Sequence, residues 1–242
     1  MGSTRLPGKT LTDLHGKPLL QRVIERSRAS HWIDEIVVAT TTERCDDEIA
    51  GLCASLQVVC CRGSVADVLD RYYQAAIQTK ADVVVRITAD DPFKDPQVID
   101  CVVGRFLADQ LDYASNTIVP TYPEGLDVEV FDFSALRCSW QEAILPSERE
   151  HVTPYIWKNP DHFRVANVVN DEDLSHLRWT IDYQDDLIFA REVYARFDTE
   201  ELFVMRDILT LLEREPEIGN LVKHIKRNQG YLASLEQDRA TK

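Results

Sequence analysis

What most constrains this chain is an alternation of short apolar runs with amphipathic stretches. Ile36-Val37-Val38-Ala39, Val58-Val59-Cys60-Cys61 and Asp82-Val83-Val84-Val85-Arg86-Ile87 read as buried strands, because a strand covered on both faces is a near-continuous apolar run. Helical periodicity fills the intervals at 17–30, where Leu19, Leu20, Val23 and Ile24 share a stripe, at 46–56 and at 65–78. Strand and helix in alternation predict right-handed crossovers and a mostly parallel sheet in a three-layer α/β/α, Rossmann-like arrangement. A further helix is predicted over 98–107, opened by Asp95-Pro96, and then a strand over 112–115. The second half is less regular. Val128-Glu129-Val130-Phe131 predicts a strand with one polar face, and Ser147-Glu148-Arg149-Glu150 a capping box opening a short helix. Strands are predicted at 163–168 and 179–181, and helices at 184–197, 200–214 and 218–226. No Gly/Ser/Pro-rich linker interrupts the 242 residues, and 44% hydrophobic content supplies one generous core, so one domain spanning 1–242 is expected.

Ligands of such sheets sit beyond the carboxyl ends of the strands. Thr40-Thr41-Thr42, Arg62-Gly63-Ser64 and Thr88-Ala89-Asp90-Asp91 all fall at such ends. A fourth feature is the opening, Met1-Gly2-Ser3-Thr4-Arg5-Leu6-Pro7-Gly8-Lys9-Thr10. Glycines, hydroxyl residues and a proline make a tight loop of exposed N–H groups flanked by the cations Arg5 and Lys9, a chemistry suited to phosphates. Lys17 adds positive charge at the start of the first helix, where the helix dipole also favours anions. The loop is not a P-loop. The pattern G-x-x-x-x-G-K-[ST] needs glycine five places before Gly8, and Ser3 stands there.

The net charge of −14 argues against a general nucleic-acid or anionic-membrane binder, so a polyanion has to be held by a local cationic pocket. No apolar run is long enough to span a bilayer and no signal-peptide pattern is present, which points to a cytoplasmic protein. The six cysteines contain no C-x-x-C pair and read as free thiols without a metal role.

Asp90 and Asp91 end the strongest predicted strand and precede Pro92. Carboxylates at such a tip suit Mg²⁺, a hard ion that prefers oxygen; a turn cap at Asp90 with a solvated Asp91 is the bland alternative. Asp182, just before the helix predicted from Gln184, is a second candidate, whereas Asp185 and Asp186 read as first-turn charges. Asp127 and Glu129 stand two apart and so share one face of a strand. That pair serves equally as a site for sugar hydroxyl or amino groups and as an exposed polar face.

The signature Gly2-Ser3-Thr4-Arg5-Leu6-Pro7-Gly8-Lys9 resembles the loop of the sugar-acid cytidylyltransferases, the group that includes the CMP-KDO and CMP-sialic acid synthetases. Arg86-Ile87-Thr88-Ala89-Asp90-Asp91-Pro92, Tyr122-Pro123-Glu124-Gly125-Leu126-Asp127-Val128-Glu129, Arg149-Glu150-His151-Val152-Thr153-Pro154 and Asn228-Gln229-Gly230-Tyr231 resemble its SpsF-like branch, associated with spore coat polysaccharide. The likeness covers nearly the whole length. It implies a nucleotide-diphospho-sugar-transferase-like fold and a CTP-dependent enzyme releasing pyrophosphate, with Asp90 and Asp182 at the positions that bind Mg²⁺ in the family.

The loop chemistry, the strand ends and that resemblance together make Arg5, Lys9 and Asp90 the catalytic candidates. Ser3, Thr4, Arg5, Gly8, Lys9, Lys17, Thr40, Arg62 and Ser64 are candidates for the nucleotide, and Glu124, Asp127, Glu129, Arg149 and His151 for a sugar-type acceptor. For Arg62 and Ser64 a loop-building role explains the residues nearly as well, Arg149 equally suits a pair with Glu129, and His151 suits a packed histidine. A homodimer is implied by the same resemblance. Members of the group carry an apolar strand ending in Ala-Arg before the signature loop; the loop here starts at Met1, so a start displaced past the first strand is expected. Two rivals remain: a glycosyltransferase on a similar fold, and a nucleotide-binding protein without turnover.

Overall fold

The structure is a computed structural model that describes every residue except Met1, Thr4, Thr199, Glu200, Lys226, Asn228, Thr241 and Lys242. After a single 3-10 turn at Lys9–Leu11, the chain forms a small hairpin, β1 (Asp13–Leu14) and β2 (Lys17–Pro18), which leads into α1 (Leu19–Arg28). The alternating region follows as β3 (Val37–Thr41), α2 (Asp47–Ser55), β4 (Val59–Gly63), α3 (Val68–Thr79), β5 (Val83–Arg86) and α4 (Pro96–Ala108). The remainder is β6 (Tyr113–Ser115), β7 (Glu129–Asp132), α5 (Phe133–Glu142), α6 (Pro146–His151), α7 (Pro154–Trp157), β8 (Val165–Asn167), α8 (Gln184–Tyr194), α9 (Met205–Arg214), α10 (Pro216–Asn220) and α11 (Gln229–Ala240).

The strands form two blocks. β3 pairs with β4 in parallel, and β5, β7, β6 and β8 lie side by side in that order. β7 runs against both β5 and β6, while β6 and β8 are parallel, so all strands of the larger block except β7 share one direction. Helices cover both faces because neighbouring strand residues point to opposite sides. Tyr113 and Phe131 join the core with α3, α5 and α7, whereas their neighbours Ala114 and Val130 join the core built by α4, α8 and α9. Three layers result.

Between the two blocks lies a cavity of about 710 Å³, with Val38 and Ala39 on one wall, Val84 and Val85 on the other, and Ile24 and Tyr72 from the flanking helices. The facing edges of β3 and β5 have no ladder partner among the described residues, and one end of the cavity is closed by Lys9, Thr88 and Asp90.

Several boundaries differ from expectation. Residues 179–181 form no strand; the pairing beside them among the described residues is a bridge between Glu124 and Arg178. The predicted capping box is displaced: the Glu148 carboxylate accepts from the amides of Ile144 and Leu145, whereas Ser147 bonds Asp238 on α11. β7 has no solvent-facing polar side, because Glu129 is buried along with Val130 and Phe131. Near the carboxyl end, helix begins at Met205 rather than near 200, α10 stops at Asn220, and α11 adds a helix beyond the expected set. Glu200 and Lys226, predicted helix ends, lie outside the described residues.

Candidate active site

The opening loop folds by local rules. Gly8 takes φ 72°, a left-handed conformation that costs glycine little, and its carbonyl accepts from Leu11 to start the 3-10 turn. Ser3 Oγ accepts from the amide of Leu6 at 3.2 Å, closing the turn before it. This geometry sends Arg5 and Lys9 toward the same point. Lys9 Nζ donates to Asp90 Oδ2 at 2.7 Å, to Asp182 Oδ1 at 2.8 Å and to the Ile181 carbonyl at 2.8 Å. Arg5 Nη2 donates to the same Asp182 oxygen at 2.7 Å, with its guanidinium 5.4 Å from the centre of the Tyr183 ring.

The two aspartates are brought together by the backbone. Ile181 N donates to the Asp90 carbonyl at 2.9 Å, so the residue before Asp182 is stitched to the tip that follows β5. Asp182 is then aimed by Arg178, which had no role in the sequence reading. Its guanidinium is buried and donates to Asp182 Oδ2 at 3.2 Å, Glu124 Oε2 at 2.6 Å and both oxygens of Asp186. Asp186, in the first turn of α8 as expected, also accepts from the amides of Asp182 and Tyr183 and so is a buried brace for the site. An arginine four residues before the candidate Asp182 and eight before Asp186 is the signal that the sequence offers.

Gly125 makes this apposition possible. At φ 108° it lies against the 178–181 segment, and a Cβ there would sit 2.8 Å from Thr180 N and from the Trp179 carbonyl carbon. The bridge between Glu124 and Arg178 requires that closeness.

Burial works against the charges of Lys9, Asp90 and Asp182, yet their mutual attraction outweighs it. Lys9 is held above its ordinary value by Asp90 and Asp182, and both carboxylates are held below theirs chiefly by Lys9. Asp91 is different. Buried beside Lys94 at 2.8 Å and accepting from Thr88, it is pushed up to about 6 by burial. It is not the solvated residue of the bland reading.

The other candidates are dispersed. Lys17 pairs with Glu25 at 3.0 Å, and the Thr40 hydroxyl donates to Asp46 at 2.8 Å. Arg62 donates to the carbonyls of Thr41 and Glu43 and pairs with Asp47, and Ser64 Oγ accepts from Ala66 N, so both build their loops. Thr4 and Asn228 lie outside the described residues. Glu129 accepts from Arg86, Tyr113 and Thr153; Arg149 pairs with Asp67 instead of Glu129. His151, lowered by burial, bonds Ser234 at 2.9 Å and meets the edge of Tyr231. Asp127 is raised by burial, pairs with Arg227 at 2.8 Å, and its carbonyl accepts from Lys94. Asp127 and Glu129 therefore answer to different cations. All six cysteines are free thiols, with Cys45 and Cys101 exposed. Among the described residues no helix is long and apolar enough to cross a membrane.

The sequence profile of the family described as cytidylyltransferase matches residues 1–232. The chain is 32% identical over 224 residues to the spore coat polysaccharide biosynthesis protein SpsF of Bacillus subtilis, covering 90% of this chain and 92% of the relative. It is 32% identical over 164 residues to 3-deoxy-manno-octulosonate cytidylyltransferase of Chlamydia trachomatis, covering 63% of each. A cytidylyltransferase structure from Leptospira borgpetersenii superposes with a TM-score of 0.86 at 33% identity, covering 90% of this chain and 92% of that one.

Proposed function

Because this chain belongs to the cytidylyltransferase family, we propose that it is a Mg²⁺-dependent enzyme that transfers CMP from CTP to a sugar-acid-type acceptor for cell-surface polysaccharide, releasing pyrophosphate. The observation that carries this reading is the meeting of Arg5, Lys9, Asp90 and Asp182 at one point from three distant segments. A cytoplasmic homodimer is the setting we assign to it.

Asp90 and Asp182 are the residues that would hold the metal. They fit: two ionised carboxylates and the Ile181 carbonyl already converge on one cation, and all are hard oxygen donors. Bound there, Mg²⁺ would neutralise charge developing on the α-phosphoryl group and its leaving oxygen. Arg5 and Lys9 take the triphosphate, assisted by the amides of the loop that Ser3 and Gly8 shape, and stabilise the departing pyrophosphate. Phosphoryl transfer of this kind rests on positioning and electrostatics, so no covalent nucleophile is required. On the acceptor side we keep Asp127, flanked by Arg227 and Lys94, as the group that orients or deprotonates the attacking hydroxyl. Glu124 and Glu129, saturated by Arg178 and Arg86, act as supports for that segment.

The test is a panel of sugar acids and related sugars incubated with CTP and Mg²⁺ and scored for pyrophosphate. Release with at least one acceptor supports the reading; no release across the panel, with CTP still bound, contradicts it.

A further inference from the structure

Lys9 occupies the place that the reading above gives to a metal. Its ammonium has three N–H donors, and all three are satisfied, by Asp90 Oδ2, Asp182 Oδ1 and the Ile181 carbonyl at 2.7–2.8 Å. Mg²⁺ binds its oxygens at about 2.0–2.1 Å, so an ion resting on both carboxylates falls inside the position held by the ammonium. The two cannot share it. Without any cation between them, the two aspartates would repel each other in a partly buried setting, where charge interactions are strong.

The neighbouring contacts say which partner moves. Asp182 is fixed from behind by Arg178, and the Ile181–Asp182 backbone is tied to the Asp90 carbonyl and to Asp186, so the Asp182 carboxylate and the Asp90 backbone are held in place. Lys9 is not. Its side chain is a flexible four-carbon stem rising from the 3-10 turn that Gly8 opens, beside the loop amides where phosphates would sit. We propose that Lys9 is an exchangeable counter-ion: it bridges Asp90 and Asp182 in the nucleotide-free protein and leaves them for the triphosphate when a divalent cation takes its place. Metal and nucleotide therefore reinforce each other, and by reciprocity each raises the affinity of the other. This deepens, and rests on, the assignment of Asp90 and Asp182 to the metal and of the loop to the triphosphate.

Mn²⁺ binding, read from the electron paramagnetic resonance of the free ion, tests it. Without nucleotide, Lys9→Met should bind Mn²⁺ about tenfold more tightly than the wild type, although it loses turnover. CTP should tighten Mn²⁺ binding more in the wild type than in Lys9→Met. Equal or weaker Mn²⁺ binding by folded Lys9→Met overturns the exchange while leaving the metal assignment in place. Failure of the wild type to bind Mn²⁺ with or without CTP, or full binding by Asp90→Asn, overturns that assignment and the exchange with it. A second arm needs no variant: acetylation of the Lys9 amine in the wild type, followed by mass spectrometry. Saturating Mn²⁺ alone should raise its labelling several-fold, and unchanged labelling contradicts the proposal.

Discussion

At the residue scale the site depends on charges that would be costly in isolation. Arg178 is 6% exposed and serves three carboxylates, so removing it leaves Asp186 buried without this cation. Breaking a buried pair from one side costs about 3–5 kcal/mol, and Arg178→Leu should lose stability of that order in urea unfolding. An unchanged midpoint would show that the network is not structural. Acid sensitivity is the second consequence. Asp90 and Asp182 have folded-state values depressed below the ordinary 3.8, so the stability they contribute is present above that pH and disappears as the pH falls below it. Lys9, with a raised value, contributes until the pH climbs past its ordinary 10.5. Metal-free wild type should therefore exceed Lys9→Met in stability at neutral pH, with the gap closing below pH 3.8. A gap independent of pH contradicts the ion-pair account.

Among elements, the sequence was legible wherever periodicity alone decides. β3, β4 and β5 fall within a residue or two of the apolar runs, and the helices between them follow their stripes. The reading failed where a long-range partner decides. Trp179-Thr180-Ile181 has the composition of a strand, but its amides are taken by the carbonyls of Glu124 and Asp90 rather than by a ladder, and the bridge recorded beside it is at Arg178. Ser147 looks like a cap from sequence and is drawn instead to Asp238 on α11, a residue 91 positions away. The site residues divide in the same way. Arg5, Lys9, Asp90 and Asp182 were readable from the loop chemistry, the strand tip and the family likeness, whereas Arg178, Lys94 and Arg227 matter through partners that no local pattern reveals. Gly125 is the hinge between these levels. A methyl group there would press on the Trp179–Thr180 backbone and strain a positive φ, so Gly125→Ala should cost about 1–3 kcal/mol and lower turnover by displacing Asp182. Wild-type stability and rate in this variant would show that the close approach is dispensable.

For the whole molecule, a net charge of −14 means that a polyanion has to be met locally, by Arg5 and Lys9 of the opening loop. Helices on both faces hold two blocks of strands around an apolar cavity, and the cation and carboxylate cluster closes one end of it. We assign to this cluster the direction of attack on the α-phosphorus. Turnover of CTP labelled at the α-phosphorus, with Mg²⁺ and an accepted sugar acid, tests it most directly. The label should leave entirely in a CMP–acceptor conjugate with one unlabelled pyrophosphate per turnover, and Lys9→Ala and Asp90→Ala should each slow this by about a hundredfold or more while remaining folded. Label appearing in CDP or free CMP, or near-normal rates in either variant, would contradict the account.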